Sequence, residues 1–141
     1  VQKSREINIC TMNNISDLNT KGFCVRAKST FVSKILNMNK TEYLFAYFIK
    51  IHNQTKKSAV LKKRYWKVTN GYGNIEIVQG DGVIGQQPKI SSDKYYSYSS
   101  YCPLNTSFGF MEGYYEMEDE SGGAFKIKIP NFQLIVPEII N

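Results

Sequence analysis

A glycine-rich segment with the spacing of a nucleotide-binding motif lies in the middle of the chain. Gly80, Gly82 and Gly85 form a Gly-x-Gly-x-x-Gly string that follows a strand-like run, and Pro88 comes three residues later. In dinucleotide-binding folds such glycines close a tight turn and begin a helix whose N-terminus faces the pyrophosphate. Because proline disfavours helical geometry at the preceding residue and lacks a backbone donor, the sequence predicts no helix here. The match to a dinucleotide-binding turn therefore fails on its context.

Two interpretations of the glycine loop stay open. In the structural one, the glycines adopt positive φ or allow close packing between strands. In the functional one, successive backbone N–H groups converge on a phosphate without a helix behind them, and an arginine adds bidentate contact. The candidate phosphate-binding residues are Gly80, Gly82, Gly85, Gln86 and Arg64. Asp81 inside the loop disfavours a bound anion.

An acidic run near the C-terminus offers oxygen ligands for a hard cation. Glu118 and Asp119 belong to this run and are its candidate metal ligands. The run lacks the Asp-x-Asp-x-Asp-Gly spacing of a calcium loop, so the pattern favours a hairpin turn with solvated carboxylates.

Cysteine and histidine are too few for a structural zinc site. Cys10, Cys24 and Cys102 include no Cys-x-x-Cys pair, and His52 is the sole histidine. Three separated thiols are typical of a reducing compartment, with a Cys24–Cys102 bridge as the alternative. No nucleophile motif such as Gly-x-Ser-x-Gly accompanies the histidine. The sequence therefore predicts no cofactor and favours a non-enzymatic role.

A tyrosine-rich run offers a surface for macromolecular contact. It precedes a Cys-Pro-Leu string, and exposed tyrosine is frequent at protein-binding hot spots. The candidate partner-binding residues are Tyr98, Tyr101, Pro103 and Leu104. In a sandwich, half of such a run is more often core and half rim. Exposed sheet edges give a second route to a protein partner or to a homo-oligomer, by strand addition.

Length and charge limit the class of protein. A chain of 141 residues suits one domain with its own core. It contains no run of 18 apolar residues, and residues 1–14 lack the apolar region of a signal peptide, so we expect a cytoplasmic protein without membrane insertion. The net charge of +6 comes from the first 75 residues, since the remainder is net acidic. This balance favours an anionic partner only slightly and does not predict nucleic-acid binding.

Strand periodicity dominates the elements that must position these residues. Residues 25–31 alternate apolar and polar side chains, which is typical of a half-buried strand. Residues 43–51 are apolar at nearly every position, which predicts a strand covered on both faces. Val60, Trp66 and Val68 share one parity with Lys62 and Arg64. Trp66 is expected to be a core anchor, whose indole N–H needs one partner.

Turn signals separate further strands along the second half of the chain. Residues 70–74 predict a hairpin turn, and Pro130 is expected to stop the pairing of the strand at 125–129. No window has helical periodicity. About seven or eight antiparallel strands predict an all-β sandwich of immunoglobulin or fibronectin type III shape. Residues 1–22 are interpreted as an N-terminal extension, and residues 23–141 as the sandwich domain.

Five separate strings over about residues 23–136 resemble the ApaG (CorD) family, in the same order and at similar spacing. They are Tyr43-Leu44-Phe45-Ala46-Tyr47, Arg64-Tyr65-Trp66, the loop from Gly80 to Pro88, Cys102-Pro103-Leu104-Asn105-Thr106, and Met111-Glu112-Gly113-Tyr114-Tyr115-Glu116-Met117. The resemblance implies a fibronectin type III-like sandwich. The chain departs from the bacterial pattern in its N-terminal extension, in Tyr101 and in its basic Lys62-Lys63-Arg64 run.

The resemblance also carries expectations about function. The family is associated with cobalt resistance and magnesium efflux, and a related domain in F-box proteins looks like a protein-recognition module. It implies a non-enzymatic binding or regulatory module that recognises a protein partner or a phosphate-bearing small molecule. The alternative is a sensor or enzyme that acts on nucleotide polyphosphates or pyrophosphate through the loop from Gly80 to Pro88.

Overall fold

Antiparallel strands account for the regular structure of the chain, whose computed structural model describes residues 15–138. The strands are β1 (Ile15–Thr20), β2 (Phe23–Asn37), β3 (Lys40–Asn53), β4 (Ala59–Asn70), β5 (Ile75–Asp81), β6 (Lys89–Ile90), β7 (Tyr95–Leu104), β8 (Phe108–Asp119) and β9 (Ala124–Ile135). Across residues 15–138 there is no helix, and hence none long and apolar enough to cross a membrane. The predicted all-β sandwich is confirmed, with eight strands of six residues or more and the two-residue β6.

Two sheets make up the sandwich. Sheet A has the strand order β1-β2-β3-β7, and sheet B has the order β5-β4-β8-β9, with β6 beside β4. The two sheets meet closely along β1, β2 and β9. There the Lys128 N–H donates to Thr20 Oγ1 at 3.2 Å, and the Ser29 hydroxyl donates to the Gln133 carbonyl. The edges β5 and β7 lie on the other side.

The segment before residue 23 differs from the arm that the sequence predicts. Residues 15–20 form β1, which pairs with β2 from Ile15 opposite Lys28 to Thr20 opposite Phe23. Lys21 and Gly22 both have positive φ, as a two-residue hairpin turn requires. Because β1 is a half-exposed edge strand, it has few apolar residues, and their alternation with polar residues is too weak to indicate a strand. Residues 1–14 of the predicted extension, with Cys10, lie outside the described residues.

Inward-facing side chains of both sheets form one apolar core. Trp66 is 2% exposed, and its ring contacts Tyr47 and Phe132 at centroid distances of 5.2 and 5.9 Å. Burial of each such side chain contributes about 1.5–3 kcal/mol. The core position predicted for Trp66 is confirmed. The expected hydrogen bond is not formed within residues 15–138, where the buried indole Nε1 has no partner.

A bulge in β4 corrects the predicted parity of that strand. Leu61 pairs with Met117 and Lys63 with Glu116, so Lys62 is an extra residue. A bulge of this kind exchanges the two faces of a strand. Ala59 and Leu61 are therefore buried ahead of the bulge, whereas Val60 is not. The predicted common parity of Val60 and Trp66 is wrong, because the bulge places the two side chains on opposite faces.

Pro130 sits in a second bulge and does not end its strand. The pairing passes from Gly113 opposite Ile129 to Met111 opposite Phe132, so two residues of β9 stand against one of β8. Proline is tolerated at a bulge because its missing N–H is not needed by the ladder there. The predicted stop is thus an irregularity inside a twelve-residue strand.

The strand β3 is fully covered on one face only. Phe45, Ile49 and Ile51 are buried on the inner face, as predicted. On the outer face Ala46 is buried, but Phe48 is 40% exposed and Lys50 is exposed, so the expected cover on both faces is wrong. The apolar outer positions extend along a surface of sheet A that the described residues leave open.

Candidate functional site

Arg64 organises the glycine loop from the inner side of sheet B. Arg64 lies two residues before Trp66 and shares its inward parity, because the bulge at Lys62 precedes both residues, and Arg64 pairs with Gly80 on β5. Its Nη1 donates to the carbonyls of Asp81 at 2.9 Å and Gly82 at 3.1 Å. The guanidinium therefore binds the carbonyl side of the loop and holds its shape.

The loop backbone is folded back on itself by hydrogen bonds. The Gly82 N–H donates to the Lys62 carbonyl at 2.8 Å, and Val83 and Gln86 exchange two backbone bonds at 2.8 and 3.0 Å. Ile84 and Gly85, which lie between these two residues, have φ of 48° and 73° and make a two-residue turn. Thus the Gly82 and Gln86 amides, both candidates for phosphate contact, have partners within the protein.

The phosphate candidates fall into two groups in space. Gly80, Gly82 and Arg64 lie together at the end of β5, where a Cβ on Gly80 would stand 3.1 Å from the guanidinium. Gln86 is exposed but its carbonyl lies against Gly82, whereas Gly85 lies apart at the exposed end of the turn. A cavity of about 230 Å³ opens beside the first group. Its lining includes Lys63, Arg64, Tyr65, Gln79, Asp81 and Glu116.

The four partner candidates do not share a surface. Tyr98 and Leu104 face the core, where Leu104 is 5% exposed and the Tyr98 hydroxyl hydrogen-bonds the Tyr115 hydroxyl. Burial raises the pKa of Tyr98. Tyr101, at 65% exposure, and the exposed Pro103 lie on the outer face of β7. Only the latter two are available to a partner, because successive strand residues point to opposite faces.

The strand β7 is an edge of sheet A with an unusual composition. Within residues 15–138 its only strand partner is β3, and its ten residues contain no charged side chain. The other three edges each carry charges, at Asp17 in β1, Glu76 and Asp81 in β5, and Lys126 and Lys128 in β9. Edges are commonly protected from pairing by charged residues. β7 lacks that protection.

Cys102 is buried on the inner side of β7, close enough to the neighbouring edge strand β5 to be affected by its charge. Burial, and secondarily the negative charge of Glu76 on β5, raises the pKa of the Cys102 thiol to about 12. The thiol of Cys24 is half-buried on β2 of the same sheet, and both thiols are free. The alternative of a bridge between them is therefore wrong in this structure. A thiol held in its neutral form is a poor nucleophile.

The acidic candidates shape the β8–β9 turn. Asp119 accepts hydrogen bonds from the Ser121 N–H and hydroxyl and from the Gly123 N–H, at 2.7–3.0 Å. These bonds, led by the Ser121 hydroxyl, lower the pKa of Asp119. Glu118 is half-buried one residue earlier and pairs with Val60. The described part of the chain has no group of three or more metal-ligating side chains.

A basic outer face on sheet A was missed in the sequence. Lys28 on β2 and Lys50 on β3 lie in neighbouring rows of this face, beside Ser97 and Ser99 of β7. The signal was a lysine at outward parity on each of two strands. It could not be used, because only the strand register shows that these lysines are neighbours.

Comparisons with known proteins agree with the fold and with the motif strings. The sequence model of the ApaG domain matches residues 34–119. The Protein ApaG of Proteus mirabilis is 43% identical over 117 residues, which are 83% of this chain and 94% of that protein. The chain belongs to the ApaG family. The Protein ApaG of Salmonella arizonae is 40% identical over 124 residues, covering 88% of this chain and 99% of the relative.

Solved structures resemble this ApaG-family chain over most of its length. An X-ray structure of a structural genomics target has a TM-score of 0.81 and 35% identity, and covers 84% of this chain and 90% of its own. The putative ApaA protein from Bordetella pertussis has a TM-score of 0.77 and 32% identity, with coverage of 83% and 95%. The ApaG domain match includes the glycine loop, β7 and the acidic candidates Glu118 and Asp119, whereas Lys28 precedes it and the rest of the β8–β9 turn follows it.

Proposed function

We propose that this chain is a non-enzymatic, cytoplasmic binding module of the ApaG type that recognises a protein partner through the edge of β7. The observation that carries the proposal is the ten-residue edge from Tyr95 to Leu104, which has one strand partner within residues 15–138 and no charged side chain. An added strand forms main-chain hydrogen bonds with such an edge and gains specificity from alternate side chains.

Side chains on the outer face of β7 suit this role. Tyr95 is 56% exposed and Tyr101 is 65% exposed, at opposite ends of the strand, with Pro103 beyond. Exposed tyrosines supply large contact areas at a small cost in conformational entropy. A segment paired to β7 would have its own outward side chains next to these rings.

Site-specific photo-crosslinking tests the proposal. A photoreactive phenylalanine analogue at Tyr101 is expected to form a crosslinked product with a defined protein in the native cell. The matched control places the same analogue at Tyr72, which is 77% exposed in the β4–β5 turn. Equal crosslinking from both positions, or none from Tyr101, contradicts recognition at β7. A product of twice the chain mass identifies the partner as a second copy.

A phosphate-bearing small molecule at the glycine loop is the second candidate. It is favoured by one observation, the cavity of about 230 Å³ that Lys63 and Arg64 line beside Gly80. In this alternative the protein senses, or acts on, nucleotide polyphosphates or pyrophosphate. The use of Arg64 and of two loop amides within the protein counts against it.

Ligand-dependent melting separates this alternative from the first. A ligand at ten times its dissociation constant stabilises a fold by about 1.4 kcal/mol, which raises the melting temperature by a few degrees. If the loop binds, millimolar ATP or pyrophosphate raises the melting temperature, and Lys63→Gln reduces that rise. No rise in the parent protein disposes of the loop as a phosphate site.

In this proposal the protein partner, and not this chain, supplies the link to the cobalt resistance and magnesium efflux with which the family is associated. A module that binds a protein can act in divalent-cation homeostasis without holding the cation. The competing hypothesis is direct binding at Glu118 and Asp119. It predicts that cobalt or magnesium raises the melting temperature and that Glu118→Gln with Asp119→Asn abolishes the rise; an unmoved parent protein rejects it.

A further inference from the structure

The outer face of sheet A brings like charges together across three strands. In one row Arg26, Lys50 and Ser97 stand opposite one another on β2, β3 and β7, and in the next row stand Lys28, Phe48 and Ser99. Directly opposed side chains have their Cβ atoms about 5 Å apart, and like charges in such pairs destabilise a sheet. A charge arrangement that costs stability suggests a second role for these side chains.

Acidic side chains only partly balance this cluster. Asp17 on β1 accepts from Arg26 Nε at 2.7 Å and from Nη2 at 3.1 Å, so that pair is neutral overall. No other acidic residue of the described chain lies in these two rows. The excess positive charge of the rows is therefore that of Lys28 and Lys50.

Aromatic rings hold both ammonium groups in place. Lys28 Nζ lies 5.4 Å from the centroid of the Phe48 ring, and Lys50 Nζ lies 4.5 Å from that of Tyr95. Tyr95 is itself stacked on His52 at a centroid distance of 4.1 Å. Such cation–π contacts are worth about 0.5–1 kcal/mol at exposed sites and restrict the lysine side chains. Restricted ammonium groups lose less entropy when they bind an anion.

We propose that these rows form a binding site for a diphosphate or longer polyphosphate group. The side chains line an open depression of about 400 Å³ on the outer face of the sheet, which has room for more than a diphosphate. Lys28 and Lys50 supply the positive charge, and the hydroxyls of Ser97 and Ser99 supply hydrogen-bond donors from β7. Linked phosphates carry several charges and many acceptor oxygens, so they match this donor set better than one carboxylate does.

This site is separate from the glycine loop and does not depend on a partner at the β7 edge. Lys28 and Lys50 are on sheet A, whereas Lys63 and Arg64 are on sheet B. The two surfaces can therefore be changed independently. The proposed ligand is defined by its phosphates, and it can be free pyrophosphate or a nucleoside polyphosphate.

Calorimetric titration at 50 mM salt tests the proposal with inorganic pyrophosphate, ATP and adenosine as probes. We expect pyrophosphate and ATP to bind and adenosine not to bind. The double variant Lys28→Gln/Lys50→Gln should bind pyrophosphate at least tenfold more weakly. The matched control Lys67→Gln/Lys128→Gln, on the outer face of sheet B, should change the affinity less than twofold.

The outcome also distinguishes free pyrophosphate from a nucleoside polyphosphate as the ligand, and this site from the glycine loop. Equal affinities for pyrophosphate and ATP identify the phosphates as the recognised group, and tighter ATP binding adds a contact to the nucleoside. The unliganded double variant should melt within a few degrees of the parent, because the like-charge pair and the two cation–π contacts that it removes act in opposite directions. Absence of pyrophosphate binding at 10 mM, or a loss caused by Lys63→Gln in place of the double variant, overturns the proposal.

Discussion

Gly82 is the loop position with the least room for a side chain. Its φ is 60°, and a Cβ there would stand 2.0 Å from the Gln86 carbonyl oxygen. Left-handed backbone alone costs an L-residue about 1–2 kcal/mol, and the clash adds to this. We expect Gly82→Ala to lower the free energy of unfolding by more than about 2 kcal/mol, measured by urea denaturation.

Gly85 supplies the matched control for that measurement. Its φ is 73°, but no atom of the described residues lies within 4 Å of the position that its Cβ would take. Gly85→Ala should therefore show the backbone term alone, about 1 kcal/mol. Equal losses at the two glycines would show that the close approach to Gln86 has no energetic weight.

Cys102 should make the protein less stable in alkali. Its pKa is raised to about 12 by burial and by Glu76, against an ordinary value of 9.0. The native state therefore keeps the proton that the unfolded state releases, so stability present below pH 9 falls between pH 9 and 12. The slope of unfolding free energy against pH should approach about −1.4 kcal/mol per unit from this group.

The comparison of variants isolates that contribution. Between pH 9 and 10, urea denaturation of Cys102→Ala should show a shallower slope than the parent, whatever its stability at pH 7. Cys24→Ala should change the slope less, since Cys24 is half-exposed. Identical slopes for the parent and Cys102→Ala would contradict a raised thiol pKa.

The bulge in β4 decides which face of that strand enters the core. Deletion of Lys62 would place either Leu61 or Trp66 on the outer face, because strand side chains alternate. Loss of one such buried side chain costs about 2–5 kcal/mol. We expect the deletion to lower the unfolding free energy by at least about 3 kcal/mol in chemical denaturation.

A substitution at the same position separates the contribution of the backbone to stability from that of the Lys62 side chain. Lys62 accepts hydrogen bonds at its carbonyl from the Gly82 N–H and from Gln87 Nε2, and Lys62→Ala retains both. We expect this substitution to change stability by about 0.5 kcal/mol or less. If the deletion lowered the unfolding free energy no more than the substitution does, the exchange of the two faces of β4 would have no energetic cost.

Single strands were more predictable than their irregularities. The alternation of residues 25–31 and the turn at 70–74 predicted β2 and the β4–β5 hairpin, because period two and turn chemistry are local. The bulges at Lys62 and Pro130 depend on the partner strand, so one sequence does not reveal them. The same limit hid the position of Arg64 beneath Gly80, which only the register between β4 and β5 shows.

At the scale of the whole molecule, the sandwich was predictable and its surfaces were not. The five motif strings and the strand count indicated the family and the class of fold. Which outward side chains become neighbours depends on register between β3 and β7, whose paired residues are about fifty positions apart. The exposed pair Tyr101 and Pro103 was found among the candidates, whereas Lys28 and Lys50 were not.

The hairpin of β2 and β3 has a consequence for how the chain folds. Met38 and Asn39, with φ of 50° and 66°, close it in two residues, and its pairing continues to Phe23 opposite Asn53. Such local pairing forms in about 1–10 μs, whereas β-sandwiches complete folding in about milliseconds to seconds. Pulse-labelling hydrogen exchange should therefore protect amides of β2 and β3 before those of β7. During that interval β3 is itself an unpaired edge, and the slow arrival of β7 is the step at which aggregation would compete.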